Sequence, residues 1–228
     1  MDGNQVILPP GLPSFSEPQS TVIVMAGMGN DISAFTIHRE TLCALSPYFR
    51  NRLARIVFGV METVRLDNIE VEVFGQVVHY IYRFEVEHTM EIRDGEGGDN
   101  FLDYKLILLT KTWLAAEEYQ MPRFQNLIMD ALFRLIGHQR RPPALCELFR
   151  LAFLAREMTP LKDFAVNALA RHSANDLAQW IGRIPEGMLE LVTLVIATNQ
   201  DHVRNFGVLP QIRATNFFVE IPEEEEEE

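Results

Sequence analysis

FTIHRETLCALSPYF, residues Phe35 to Phe49, is the stretch on which the fold turns. Ala34 to His38 alternates apolar and polar residues at period two, the mark of a strand with one face on a core. Ser46 followed by Pro47 marks a helix start. The hydroxyl takes an orphan N–H at the N-cap, and proline stands where no N–H is needed. Phe49, Leu53 and Ile56 follow at helical spacing, with Arg50, Arg52 and Arg55 on other faces. Phe35 and Ile37 share one strand face.

Upstream, residues 1–20 hold four prolines among Ser, Gly and Gln and read as a flexible leader. Thr21 to Ala26 is rich in β-branched residues and reads as a strand, joined to the next by Gly27-Met-Gly-Asn-Asp31 as a hairpin turn. Downstream, Thr63 to Leu66 is a short alternating strand. Asp67 and Glu70 resemble a capping box, with Asp at the N-cap. Val71, Phe74, Val77, Val78 and Ile81 then describe one apolar helical stripe. The acidic, glycine-bearing run Asp94 to Asn100 is a loop. A helix is expected from about Asp103 to Tyr119, and Pro122 starts another through about Leu135.

Arg140-Arg-Pro-Pro143 breaks the chain, and everything beyond it reads as helix: Ala144 to Met158, Pro160 to His172, Asp176 to Ile181 and Pro185 to Thr198. Leu148, Phe149, Ala152 and Phe153, with Leu161, Phe164, Ala165 and Leu169, form stripes too apolar to leave in water. The expected organisation is a leader (1–20), a body (21–136) with an acidic loop at about 85–102, a helical extension (144–200) and a tail (201–228). Strands first and helices afterwards argue an α+β fold with an all-α C-terminal extension, not a wound parallel sheet.

The net charge of −12 is local. Glu85 to Tyr104 carries −6 and the run Glu223 to Glu228 another −6, so the remaining residues are neutral. One acidic loop and one acidic tail disfavour nucleic acid, which needs an excess of Arg and Lys against phosphate. The opening MDGNQVILPPGLP has no basic region and no long apolar run, and Leu191 to Ala197 is too short to span a membrane. The expectation is a protein kept inside the cell, in cytoplasm, nucleus or both, without a membrane partner. Cys43 and Cys146 stand far apart in no metal-ligand spacing; a disulfide is open to them, but isolated thiols in apolar helices suit a reducing compartment.

Chemistry-bearing motifs are missing. Gly27-Met-Gly29 follows a strand, but Ile32 stands where a dinucleotide fingerprint needs its third glycine, and no helix opens there. Asp94, Glu96 and Asp99 are out of register for a calcium loop. Six histidines are scattered without metal-type pairing, and neither cysteine sits in a nucleophile motif. No catalytic residue, cofactor or metal is expected, and the chain is read as no enzyme.

Phe35, His38, Arg39, Leu42, Ser46, Pro47, Tyr48 and Phe49 stand at the spacing of a known signature. Glu62, Val64-Arg-Leu66, Asp67 and Phe74 through Tyr80-Ile-Tyr82 follow in order, and then Leu114-Ala-Ala-Glu-Glu-Tyr-Gln-Met121. Over about residues 20–136 the chain resembles the BTB/POZ domain family, in particular its short stand-alone members in filamentous fungi. The resemblance implies a small sheet flanked by a helical cluster and a role in protein–protein interaction. On that pattern His38 pins the strand end by hydrogen bonds, and Arg39 packs its stem and pairs with a carboxylate or carbonyl. Family adaptors for cullin-type ubiquitin ligases place a hydrophobic-x-acid motif just before a strand, and Val60-Met61-Glu62 matches it, making these the candidate partner-binding residues. The partners implied are proteins, a cullin or a second copy. The other use the resemblance allows is a self-associating, transcription-related scaffold that borrows DNA binding from a partner. Many dimeric members carry an aspartate before the first strand, where this chain has Ser20-Thr21.

Overall fold

The computed structural model describes residues 12–13, 16, 19–54, 62–86, 99–136, 142–154, 157–173, 178, 180–206 and 208–222. Two compact units are formed. One holds Met1–Thr89 and Thr112–Leu127; the other holds Met90–Lys111 and Ile128–Glu228.

The first unit is built on strands β1 (Thr21–Met28), β2 (Asp31–His38) and β3 (Glu62–Leu66) in the order β2-β1-β3. β1 runs antiparallel to β2, pairing Thr21 with His38 and Met28 with Asp31. β3 runs parallel to β1, with Val22 beside Glu62 and Ala26 beside Leu66. The strands outlast the sequence reading: the turn shrinks to Gly29-Asn30, where Gly29 at φ 60° supplies the positive dihedral a two-residue hairpin needs. Gly27, read as turn, lies in the ladder at φ 156°, and a Cβ there would fall 1.9 Å from the Asp31 carbonyl oxygen.

Period-two burial on β1 sends Val22, Val24 and Ala26 inward, where Ile37, Val64 and Leu66 join them from the flanking strands. Helices α1 (Arg39–Leu45), α2 (Pro47–Leu53) and α3 (Val71–Arg83) supply the rest of this layer. Leu42, Phe49, Leu53, Phe74 and Ile81 are all completely buried. Phe35 is only half-buried, because β2 is an edge strand, yet its ring meets Phe74 edge-on at 5.1 Å. Seven residues with two buried positions give α1 no readable stripe, and the sequence reading passes it by.

α3 differs from expectation in its start and its face. Its N-cap is Glu70, whose side chain makes no capping bond to the helix, while Asp67 pairs with Arg65 at 3.0 Å. Val73, Phe74, Val77, Tyr80 and Ile81 are buried, whereas Val71 and Val78 stand at the margin. The next helices are α4 (Asp99–Glu118) and α5 (Pro122–Ile136); the unit division falls between Lys111 and Thr112 and between Leu127 and Ile128. α4 opens at Asp99, inside the stretch read as loop. Trp113 is buried, as its place between Leu109 and Ala116 predicts.

The second unit adds α6 (Pro142–Ala152), α7 (Pro160–Leu169) and α8 (Met188–Phe206), then a short 3₁₀ turn at Ala214–Phe217. α6 ends at Ala152, short of the expected Met158, and α8 begins three residues after Pro185 and runs on to Phe206. Thr159 caps α7, its hydroxyl accepting the Lys162 N–H at 3.2 Å. Leu148, Phe149, Ala152, Leu161, Phe164, Ala165 and Leu169 are buried; Phe153 is half-buried, with the Lys162 ammonium 4.5 Å from its ring centre. Phe217 packs edge-on against Phe164 at 5.6 Å, so ordered structure extends well past residue 200. Among the described residues no helix is long and apolar enough to cross a membrane.

Candidate interaction site

The signature residues hold the first unit together. Ser46 is fully buried and does two jobs with one hydroxyl. It accepts the Phe49 N–H at 3.3 Å, capping α2, and donates to the Tyr119 carbonyl at 2.6 Å, tying α2 to the turn after α4. Phe49 lies 5.0 Å from the Tyr119 ring and 6.4 Å from that of Phe74, which makes it the centre of an aromatic cluster. Burial pushes the Tyr119 hydroxyl far above its usual pKa and that of Tyr80 to about 12, so both stay neutral at any working pH.

His38 ends β2 as the sequence suggests. Its backbone N–H donates to the Tyr82 hydroxyl at 3.0 Å, and its Nδ1 lies 3.0 Å from the same oxygen. Arg39 reaches the Leu53 carbonyl at 3.3 Å, fastening the end of α2. The start of β1 is fixed by a clamp invisible in the sequence. The Ser20 hydroxyl donates to Glu40 at 2.6 Å, its N–H to the same oxygen at 3.2 Å, and the Arg39 N–H to the Ser20 carbonyl at 2.9 Å. Burial raises the Glu40 pKa, but these bonds and the Arg39 charge outweigh it, and the carboxyl settles below its ordinary value.

Val60 and Met61 lie outside the described residues. Glu62 is the first residue of β3, beside Val22 in the sheet. The strand that follows this candidate site is held by Arg52, which donates to the Arg65 carbonyl at 2.9 Å and to the Tyr48 hydroxyl at 2.5 Å, its guanidinium 5.8 Å from the Tyr48 ring centre. Pro47 is exposed at the start of α2. Sequence reasoning placed Arg52 only on an outer helix face and gave Tyr82 and Tyr119 no task beyond matching the pattern. Each was visible as an aromatic or arginine at a fixed place, but the Arg65 carbonyl, His38 and Ser46 that they meet lie 13 to 73 residues away.

Among the described residues no group of three or more His, Cys, Asp or Glu side chains is arranged to hold a metal ion. Neither Cys43 nor Cys146 is in a disulfide, both are half-buried, and burial raises the Cys146 pKa above its ordinary value, away from the reactive thiolate. The geometry therefore spends its distinctive side chains on positioning short elements around a small sheet.

Residues 15–133, more than half of the chain, match the BTB/POZ domain. The chain belongs to that family, whose members are protein-interaction modules, and the α+β architecture agrees with it. It is also similar to Kelch-like protein 40 of Xenopus tropicalis, 39% identical over 56 residues. That stretch is 24% of this chain and 9% of the relative, so the likeness is confined to one small part of the larger protein.

Proposed function

We propose that the chain is a non-enzymatic protein–protein interaction module, acting inside the cell as a substrate adaptor for a cullin-type ubiquitin ligase. The observation that carries this reading is the BTB/POZ match over residues 15–133. In support, Ser46, Tyr119, Phe49 and Tyr82 are spent on packing and hydrogen bonds within the fold. Residues 21–136 form the interaction body, and residues 144–200 the helical extension.

The cullin contact centres on Val60-Met61-Glu62. An apolar anchor at Val60 enters a partner pocket while the Glu62 carboxylate fixes orientation, the usual division between hot spot and polar rim. A binding titration with the N-terminal region of a cullin, comparing wild type with the Val60→Asp, Glu62→Arg double variant, tests both parts. Wild-type binding lost in the variant supports the site. Equal binding by both proteins keeps the adaptor and discards the site. No wild-type binding sinks the adaptor reading and leaves a self-associating, transcription-related scaffold. That second reading is favoured by one observation: the described sheet ends in an edge strand with no neighbour on its outer side.

A further inference from the structure

The two edges of the sheet are treated differently. On β3, Arg52 takes the Arg65 carbonyl. On β2, two hydrogen bonds fix which groups point where. The Arg39 N–H turns inward to the Ser20 carbonyl beside β1, and the His38 N–H turns outward to the Tyr82 hydroxyl. Because antiparallel residues alternate between facing the neighbour and facing away, residues 31, 33, 35 and 37 serve the ladder with β1. Ile32, Ala34 and Thr36 then present their N–H and C=O groups outward. Tyr82 closes this edge at His38; from Ile32 to Thr36 no described strand pairs with it.

Natural edge strands are ordinarily blunted by charge, proline or a bulge. Residues 32–37 read Ile-Ser-Ala-Phe-Thr-Ile, with no charge and no proline, and their register with β1 is unbroken. Ile32, Ala34 and Thr36 are all exposed.

The geometry points to β2 as a strand-pairing interface whose occupant is the β2 strand of a second copy, joining two three-stranded sheets into one. This rests on reading the chain as an interaction module and names the surface through which it self-associates. Only residues of like parity face each other across such a pair, so the two-fold register centred on Ala34 makes the most bonds. It sets Ala34 against Ala34 and Ile32 against Thr36 on the outer face, and Phe35 against Ser33 on the inner one. Each large side chain meets a small one, the two Phe35 rings do not collide, and no charge opposes a like charge. A pair this short buries less than a stable interface needs, so the association is weak and concentration-dependent.

Sedimentation of the full chain up to about 100 μM, the range of weak pairing, is the test. Wild type is expected to dimerise. Ala34→Pro, which removes an outward N–H and leaves the β1 ladder whole, abolishes the dimer. Ala34→Lys and Ala34→Glu each weaken it about tenfold by setting like charges opposite one another, and mixing the two restores it. In wild type the amides of Ile32, Ala34 and Thr36 exchange more slowly as concentration rises, while that of Phe35 does not change. Charged variants with unaltered melting show that the fold is intact. A dimer unaffected by all three substitutions overturns the β2 interface and keeps self-association. A monomeric wild type overturns both, and the cullin titration then decides the adaptor reading separately.

Discussion

Replacing Ser46 by alanine removes two interactions through one oxygen. The first is the α2 cap, whose loss costs about 1 kcal/mol in general and less here, because the Phe49 N–H stands at a long 3.3 Å. The second is the 2.6 Å bond to the Tyr119 carbonyl. Tyr119 is almost completely buried, so water does not replace the hydroxyl, and a stranded carbonyl costs about 1–3 kcal/mol. Together the loss is about 2–3 kcal/mol, and the melting temperature of a chain this long falls by about 5–10 °C. Thr159→Ala is the internal calibration, since that hydroxyl caps α7 through the Lys162 N–H at 3.2 Å and loses about 1 kcal/mol. Urea unfolding of both variants with unchanged m-values measures the difference. If Ser46→Ala costs no more than Thr159→Ala, the Tyr119 bond contributes nothing and the two-job account of Ser46 is wrong.

Phe49→Ala leaves a cavity at the centre of the aromatic cluster and removes about 3–5 kcal/mol, enough to unfold a marginal domain; melting within a degree or two of wild type shows that Phe49 is not core. Gly27→Ala drives a Cβ into the Asp31 carbonyl and is expected to cost about 3 kcal/mol or more. Gly29→Ala, at φ 60° in open space, costs about 1–2 kcal/mol, and equal losses in thermal denaturation remove the close-approach argument. The Arg150 hydrogen bond holds the Glu147 carboxyl below its ordinary value of 4.5, against a smaller upward push from burial. A depressed folded pKa gives stability above the unfolded value that is lost as pH falls through the folded one. Arg150→Ala therefore costs up to about 0.5 kcal/mol at pH 7, as expected of a largely exposed pair, and the gap to wild type closes below pH 4.5. A gap independent of pH assigns the effect to packing.

Local rules carried the reading wherever cause and effect lie close together in sequence. Ser46-Pro47 predicted both the cap and the helix start, and the β-branched run at residues 21–26 with the alternation at 34–38 predicted the hairpin. Where a local rule misled, a competing partner stood nearby: Asp67 had a capping position in sequence, but Arg65 two residues earlier claims its carboxylate. Phe74, Val77 and Ile81 of the stripe on α3 are buried as read, but Val73 and Tyr80 take the places of Val71 and Val78 because they fit the helical period as well. The parallel pairing of β3 with β1 and the Ser20–Glu40 clamp join distant segments, which no periodicity encodes. The candidate contact at Val60, Met61 and Glu62 rests on pattern alone, its first two residues lying outside the described ones.

Photo-crosslinking in cells, with a photoreactive amino acid in place of Met61, addresses the central claim most directly. The account predicts a covalent adduct containing a cullin, lost when Val60→Asp and Glu62→Arg are added to the same chain. Adducts with other proteins and none with a cullin would contradict it.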